Sequence, residues 1–215
     1  MTQPPQIRCI VSSQFAENAY VVWLPGRRDC VVVDPGLDPE LIVEALQAEG
    51  LTVAAILNTH GHADHIAGNE AMKSAFPDAP LIIGEGDAFM LTDSMANLSA
   101  PFGYPIESPP ADRTVAEGDF VESAGLRFDV LEIPGHSPGH VVFVYRSKPI
   151  VVFGGDVLFQ SGIGRTDFPG GSHDRLLRGI RNKLYTLPED TVIYPGHGPE
   201  TTIGEERVSN PFVRA

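Results

Sequence analysis

Thr59-His60-Gly61-His62-Ala63-Asp64-His65 packs three imidazoles and a carboxylate into seven residues, directly after the apolar run Val53 to Leu57. That run reads as a buried strand, and His65 to Phe76 as a helix ended by Pro77. The four polar side chains stand at i, i+2, i+4 and i+5, a spacing that matches neither the strand nor the helical period. They therefore belong to an irregular turn on which they converge, with Gly61 supplying backbone freedom. Such a turn is a poor structural device, because unligated histidines repel when protonated and cost desolvation when buried. Nitrogen and carboxylate donors without thiolates point to zinc, iron or manganese.

One zinc ion takes about four ligands, and this turn has little room for all four donors to reach one ion. More donors are needed if two ions are bound. Three other strand ends offer them: His136 in Ile133-Pro134-Gly135-His136-Ser137-Pro138-Gly139-His140, Asp156 in Phe153-Gly154-Gly155-Asp156, and His197 in Tyr194-Pro195-Gly196-His197. In each a glycine immediately precedes the candidate ligand. Any one of these could be an ordinary polar turn. Four strand ends with the same logic are better explained by one site in a crevice.

The surrounding pattern is a mixture of short strands and helices. Ile7–Val11, Ala19–Leu24 and Cys30–Val33 read as a strand meander. Pro39–Glu49 reads as a helix, capped by Asp38 and stopped by Gly50. Strands are expected again at Leu81–Ile83, Phe120–Val121, Leu126–Ile133, Val141–Tyr145, Ile150–Phe153 and Val192–Tyr194, with a helix at Ser172–Leu184 and a helical tail. Each half thus offers strands and then helices, which predicts an α/β architecture: two sheets packed together with helices outside. Gly84 to Pro110 is the least regular stretch, read either as a lid or substrate wall or as a helix and loop on the shell.

With 215 residues, 42% hydrophobic and 20% charged, the chain suits one domain over residues 1–215. Its 15 basic and 28 acidic residues give a net charge of −13, which disfavours nucleic acid and anionic membrane surfaces as partners. No apolar run approaches membrane-helix length and the N-terminus carries no signal-peptide pattern, so a cytoplasmic protein is expected. Cys9 and Cys30 both read as reduced core thiols.

The four turns resemble, in order and spacing, the signature of the metallo-β-lactamase superfamily, and the resemblance runs from the meander to Pro211. It implies an αββα sandwich with a binuclear site at one edge of two mixed sheets. Position by position, it implies one metal held by His60, His62 and His136, and a second by Asp64, His65 and His197, with Asp156 bridging. The cofactors implied are two divalent ions, zinc foremost, with iron or manganese as alternatives. His140 is expected to support the ligands from behind. His173 is assigned no role.

Within the superfamily the chain looks most like the short bacterial members of the glyoxalase II group, in the stretch Gly155 to Phe168 and the ending Tyr194 to Glu200 with Glu206, Arg207, Asn210 and Pro211. That likeness implies hydrolysis of a small-molecule thioester, S-lactoylglutathione or a relative, by a metal-bridging hydroxide oriented by Asp64. Arg165 matches a basic residue that meets glutathione in that group; paired with Asp167, it would instead be structural. The 18 residues after His197 do not match the helical extension with which longer glyoxalase II enzymes grip glutathione. Persulfide dioxygenases also resemble the chain, in Asn58 to Ile66 and Gly164 to Phe168. That alternative implies one iron on His60, His136 and Asp156.

Overall fold

The computed structural model describes residues 3–214. Strands β1 (Gln6–Val11), β2 (Asn18–Trp23) and β3 (Asp29–Val33) form the expected meander. Helix α1 (Pro39–Glu49) crosses to β4 (Thr52–Asn58), and α2 (Ala63–Ile66) with α3 (Asn69–Ala75) crosses to β5 (Leu81–Gly84). Two 3₁₀ turns, Glu85–Thr92 and Ala100–Phe102, precede β6 (Arg113–Val115). These six strands make one sheet in sequence order, antiparallel as far as β3 and parallel beyond.

The second sheet is built from β7 (Phe120–Ser123), β8 (Leu126–Glu132), β9 (Val141–Tyr145) and β10 (Val151–Gly155). A small hairpin follows, β11 (Leu158–Phe159) and β12 (Gly162–Ile163). Then come α4 (His173–Asn182), β13 (Val192–Pro195), β14 (Thr201–Thr202) and α5 (Ile203–Ser209). The sheet order is β14-β13-β10-β9-β8-β7, and only β10 and β13 run parallel.

Alternation along the strands builds the layers. In β2, Tyr20 and Val22 enter the core between the sheets, where they meet Phe128, Phe143 and Phe153 of the second sheet. Ala19, Val21 and Trp23 point the other way, into the cluster that holds Ile42 and Leu46 of α1 and Met72 of α3. On the far side, Leu176 and Ile180 of α4 and Ile203 of α5 cover Val142, Val144 and Val152. The result is the αββα sandwich that the resemblance implied.

Several local expectations are corrected. The helix expected over His65–Phe76 is two helices, because Gly68 turns its N–H to the Pro35 carbonyl (2.7 Å). Asp38 makes no side-chain cap on α1; its carboxylate accepts the Ser13 N–H at 2.5 Å. Cys9 faces solvent, since β1 is an edge strand, whereas Cys30 is buried. Gly84–Pro110 is neither wholly lid nor wholly shell: Asp87, Met90 and Leu91 are buried, while Leu98, Phe102 and Tyr104 line a cavity.

Candidate metal centre

Strand ends of both sheets meet at one edge of the sandwich. The Val141 N–H donates to the Thr59 carbonyl (2.9 Å), and the Gly196 N–H to the Gly155 carbonyl (2.8 Å). His60, His62 and His136 bring one donor atom each to within 4.8 Å of one another, and so do Asp64, His65 and His197. Asp156 lies between the two groups. Its Oδ2 is 3.4 Å from His136 Nε2 and 3.7 Å from His197 Nε2, and its Oδ1 is 3.5 Å from His65 Nε2. All seven side chains singled out from the sequence therefore converge.

The imidazoles are oriented from behind. His65 holds Nδ1 against Asp34 Oδ2 at 3.1 Å, leaving Nε2 towards the cluster. His136 Nδ1 meets the Arg165 carbonyl at 2.8 Å, His197 Nδ1 the Phe15 carbonyl at 3.2 Å, and His60 Nδ1 the Thr59 hydroxyl at 3.1 Å. An outward Nδ1–H fixes the tautomer whose inward Nε2 carries the lone pair. His140 Nε2 accepts the Asp156 N–H (3.0 Å), and its ring stacks on His60 at 4.7 Å.

Two buried carboxylates escaped the sequence reading. Asp34 accepts the Thr59 N–H and hydroxyl, both at 2.7 Å, besides holding His65. Its position near His60 and His65 also makes it a geometric candidate for a ligand, but those hydrogen bonds already occupy both of its oxygens. Asp87 joins the two histidine turns, accepting from the Gly61 N–H (3.1 Å), the Ser137 hydroxyl (2.5 Å) and the Gly139 N–H (2.6 Å). Asp34 opens an ordinary-looking Asp-Pro-Gly turn and Asp87 lies in the irregular stretch, so neither carried a motif. Gly61 also has a different reason from the one expected. A Cβ there would lie 2.5 Å from Met90 Cβ, so close packing rather than backbone freedom requires glycine.

The electrostatics suit a bound cation. Burial, then the neighbouring His136, pushes His62 down to about 3, and burial likewise holds His60 and His140 neutral. Burial raises Asp64, but His65, His197 and His62 more than reverse this, so its carboxyl lies well below the usual range. His65 goes the other way: Asp64, Asp156 and Asp34 overcome its burial and raise it. Among the described residues, His60 Nε2, His65 Nε2 and Asp156 Oδ1 are buried with no hydrogen-bond partner. Buried polar atoms left unpaired are costly, and imidazole nitrogens converging with carboxylate oxygens are a donor set that a divalent ion satisfies. The residues fit the implied metals.

The cluster forms the floor of a cavity of ≈ 480 Å³ lined also by Phe15, Leu98, Phe102, Tyr104, Arg165 and Phe168. Arg165 grips Asp167 with two bonds, 2.8 and 2.7 Å, and its guanidinium lies 3.9 Å over the Phe168 ring. Its backbone carbonyl, meanwhile, holds His136.

Two six-stranded sheets with such a cluster at one edge define a metal-binding αββα sandwich. The profile of the metallo-beta-lactamase superfamily matches residues 13–197, and the chain belongs to that superfamily. It is 37% identical to the hydroxyacylglutathione hydrolase GloC of Haemophilus influenzae, over 97% of this chain and 98% of that protein. Among solved structures, the BLEG-1 B3 metallo-beta-lactamase is similar at TM-score 0.93 and 40% identity, over 98% of this chain and 100% of that one. TTHA1623 in a di-iron-bound form reaches TM-score 0.84 and 36% identity, covering 96% and 100%. ETHE1 from Myxococcus xanthus reaches 0.77 and 28%, covering 96% and 83%.

Proposed function

We propose that this protein is a glyoxalase II-like thioesterase of the cytoplasm, cleaving S-lactoylglutathione or a related thioester. The observation that carries the reading is the convergence of seven donors into two sets that share Asp156. The likeness to GloC adds the substrate class. His60, His62 and His136 would hold one divalent ion, and Asp64, His65 and His197 the other. When bound, the two ions would polarise the thioester carbonyl and acidify a water. Asp64, kept ionised, would complete the second set and orient that water. Addition of that water's oxygen to the carbonyl carbon, with one proton released to solvent and the other passed to sulfur as the C–S bond breaks, would leave a carboxylate and a thiol. Arg165 would face the carrier half of the substrate. Zinc suits the donor chemistry, and the di-iron form of TTHA1623 supports iron equally.

The deciding measurement is loss of thioester absorbance from S-lactoylglutathione by metal-replete protein under anaerobic conditions. Hydrolysis is expected, and Asp64→Ala should lower it at least ~10²-fold with the circular dichroism unchanged. Survival of activity within about tenfold would overturn the role given to Asp64. The likeness to ETHE1 favours one second reading, a single iron on His60, His136 and Asp156. Oxygen uptake with glutathione persulfide, and no anaerobic thioester hydrolysis, would decide for it.

A further inference from the structure

The wall above the donor cluster is apolar and lacks a free cation. Phe15, Phe102 and Tyr104 line the cavity and are 60%, 60% and 67% exposed, so the wall offers aromatic surface left open by the described residues. Leu98 and Phe168 continue it. Among the described residues lining the cavity, Arg165 is the one cation, and Asp167 already binds it through two hydrogen bonds. The other charged side chains there, Asp64 and Asp156, belong to the donor cluster.

The wall is also built rather than loose. Buried Asn97 donates to the carbonyls of Met90 (3.2 Å) and Ile106 (2.9 Å), and its own carbonyl accepts the Ala63 N–H (3.0 Å) from the donor turn. The segment that carries Leu98, Phe102 and Tyr104 is thus tied to Asp64's own turn. A cavity of ≈ 480 Å³ falls within the range of small-molecule sites. Rigid aromatic surface of this kind binds uncharged groups with little ordering cost.

We infer that the substrate carries an uncharged apolar or aromatic arm that lies against Phe15, Leu98, Phe102 and Tyr104. The inference rests on the thioesterase reading and sharpens its substrate class. Either half of a thioester can supply the arm, so two series are compared. Acetyl, lactoyl, succinyl and phenylacetyl groups are carried on glutathione, and the lactoyl group is carried on glutathione, N-acetylcysteamine and 2-phenylethanethiol, whose alkyl thiols leave with similar ease.

The kcat/KM is expected to rise about tenfold or more from the smallest to the phenyl-bearing member of one series, and to fall for the succinyl ester. The series that shows the rise identifies the half that bears the arm. Phe102→Ala and Tyr104→Ala, both at exposed positions, should each lower the phenyl-to-small ratio about tenfold, mainly through KM. Phe89→Ala, exposed on the same segment but outside the cavity, should leave that ratio unchanged. Turnover that is flat across both series, or a ratio unmoved by the two wall variants, would overturn the inference while the thioesterase reading stood. No turnover of any thioester would overturn both.

Discussion

Each imidazole held by an oxygen at one nitrogen presents the other to the cluster, and this grip depends on residues with no chemistry of their own. Thr59, the Arg165 carbonyl and the Phe15 carbonyl do for His60, His136 and His197 what Asp34 does for His65. The donors were legible in the sequence because histidines at strand ends are conspicuous. Their supports were not, because a carbonyl or a lone aspartate in a turn carries no pattern until the fold brings it alongside. Glu17 is a third buried carboxyl that carried no pattern in the sequence, though its side chain holds none of the donors. It is fully buried, both carboxyl oxygens lack partners among the described residues, and burial first, then Asp34, Asp64 and Asp156, raise its pKa well above 4.5 against the opposing charge of His65. A carboxyl kept protonated when folded loses stability as pH rises above its unfolded value. In metal-stripped protein, Glu17→Gln removes that loss. The variant should melt higher than the parent at pH 7, and the gap should close on titration towards pH 4.5. A gap independent of pH in thermal melts would show that Glu17 is not the group responsible.

Among the elements, helix α5 does more than close the sheet. Glu206 accepts the Ser161 N–H (2.9 Å) and the Thr201 hydroxyl (2.7 Å), and Asn210 donates to the Gly162 carbonyl (3.0 Å). Together they pin the β11–β12 hairpin that leads into Arg165. Asn210→Ala would leave buried partners unpaired and should cost about 2–3 kcal/mol in urea unfolding. A cost near zero would mean that water replaces the amide. The ending with Glu206 and Asn210 was noted in the sequence only as part of a resemblance, and its mechanical purpose needed the hairpin to be seen. Long strands such as Val141–Tyr145 were legible from β-branched and aromatic runs. Two-residue strands such as β14 exist only through their partners, and the split between α2 and α3 only through the Pro35 carbonyl.

Across the whole molecule, the donors come from both sheets, so ions at the centre would fasten one layer to the other. Ligands that bind only the folded state stabilise it by mass action, about 2.7 kcal/mol at a free concentration 100 times Kd. Chelation should therefore lower Tm by roughly 5–10 °C for a chain of this size, and re-addition of zinc or iron should restore it. An unchanged Tm would imply that the cluster holds no ion tightly. No helix among the described residues is long and apolar enough to cross a membrane.

The position of His197 has a temporal consequence. His60, His62, His136 and Asp156 all precede residue 157, whereas the set of Asp64, His65 and His197 waits for β13. On a growing chain the first trio can therefore gather while the second is still one member short. Synthesis from N- to C-terminus would therefore complete the later set last, beside the strand that also locks β2 through Asn18 and the Pro195 carbonyl (2.9 Å).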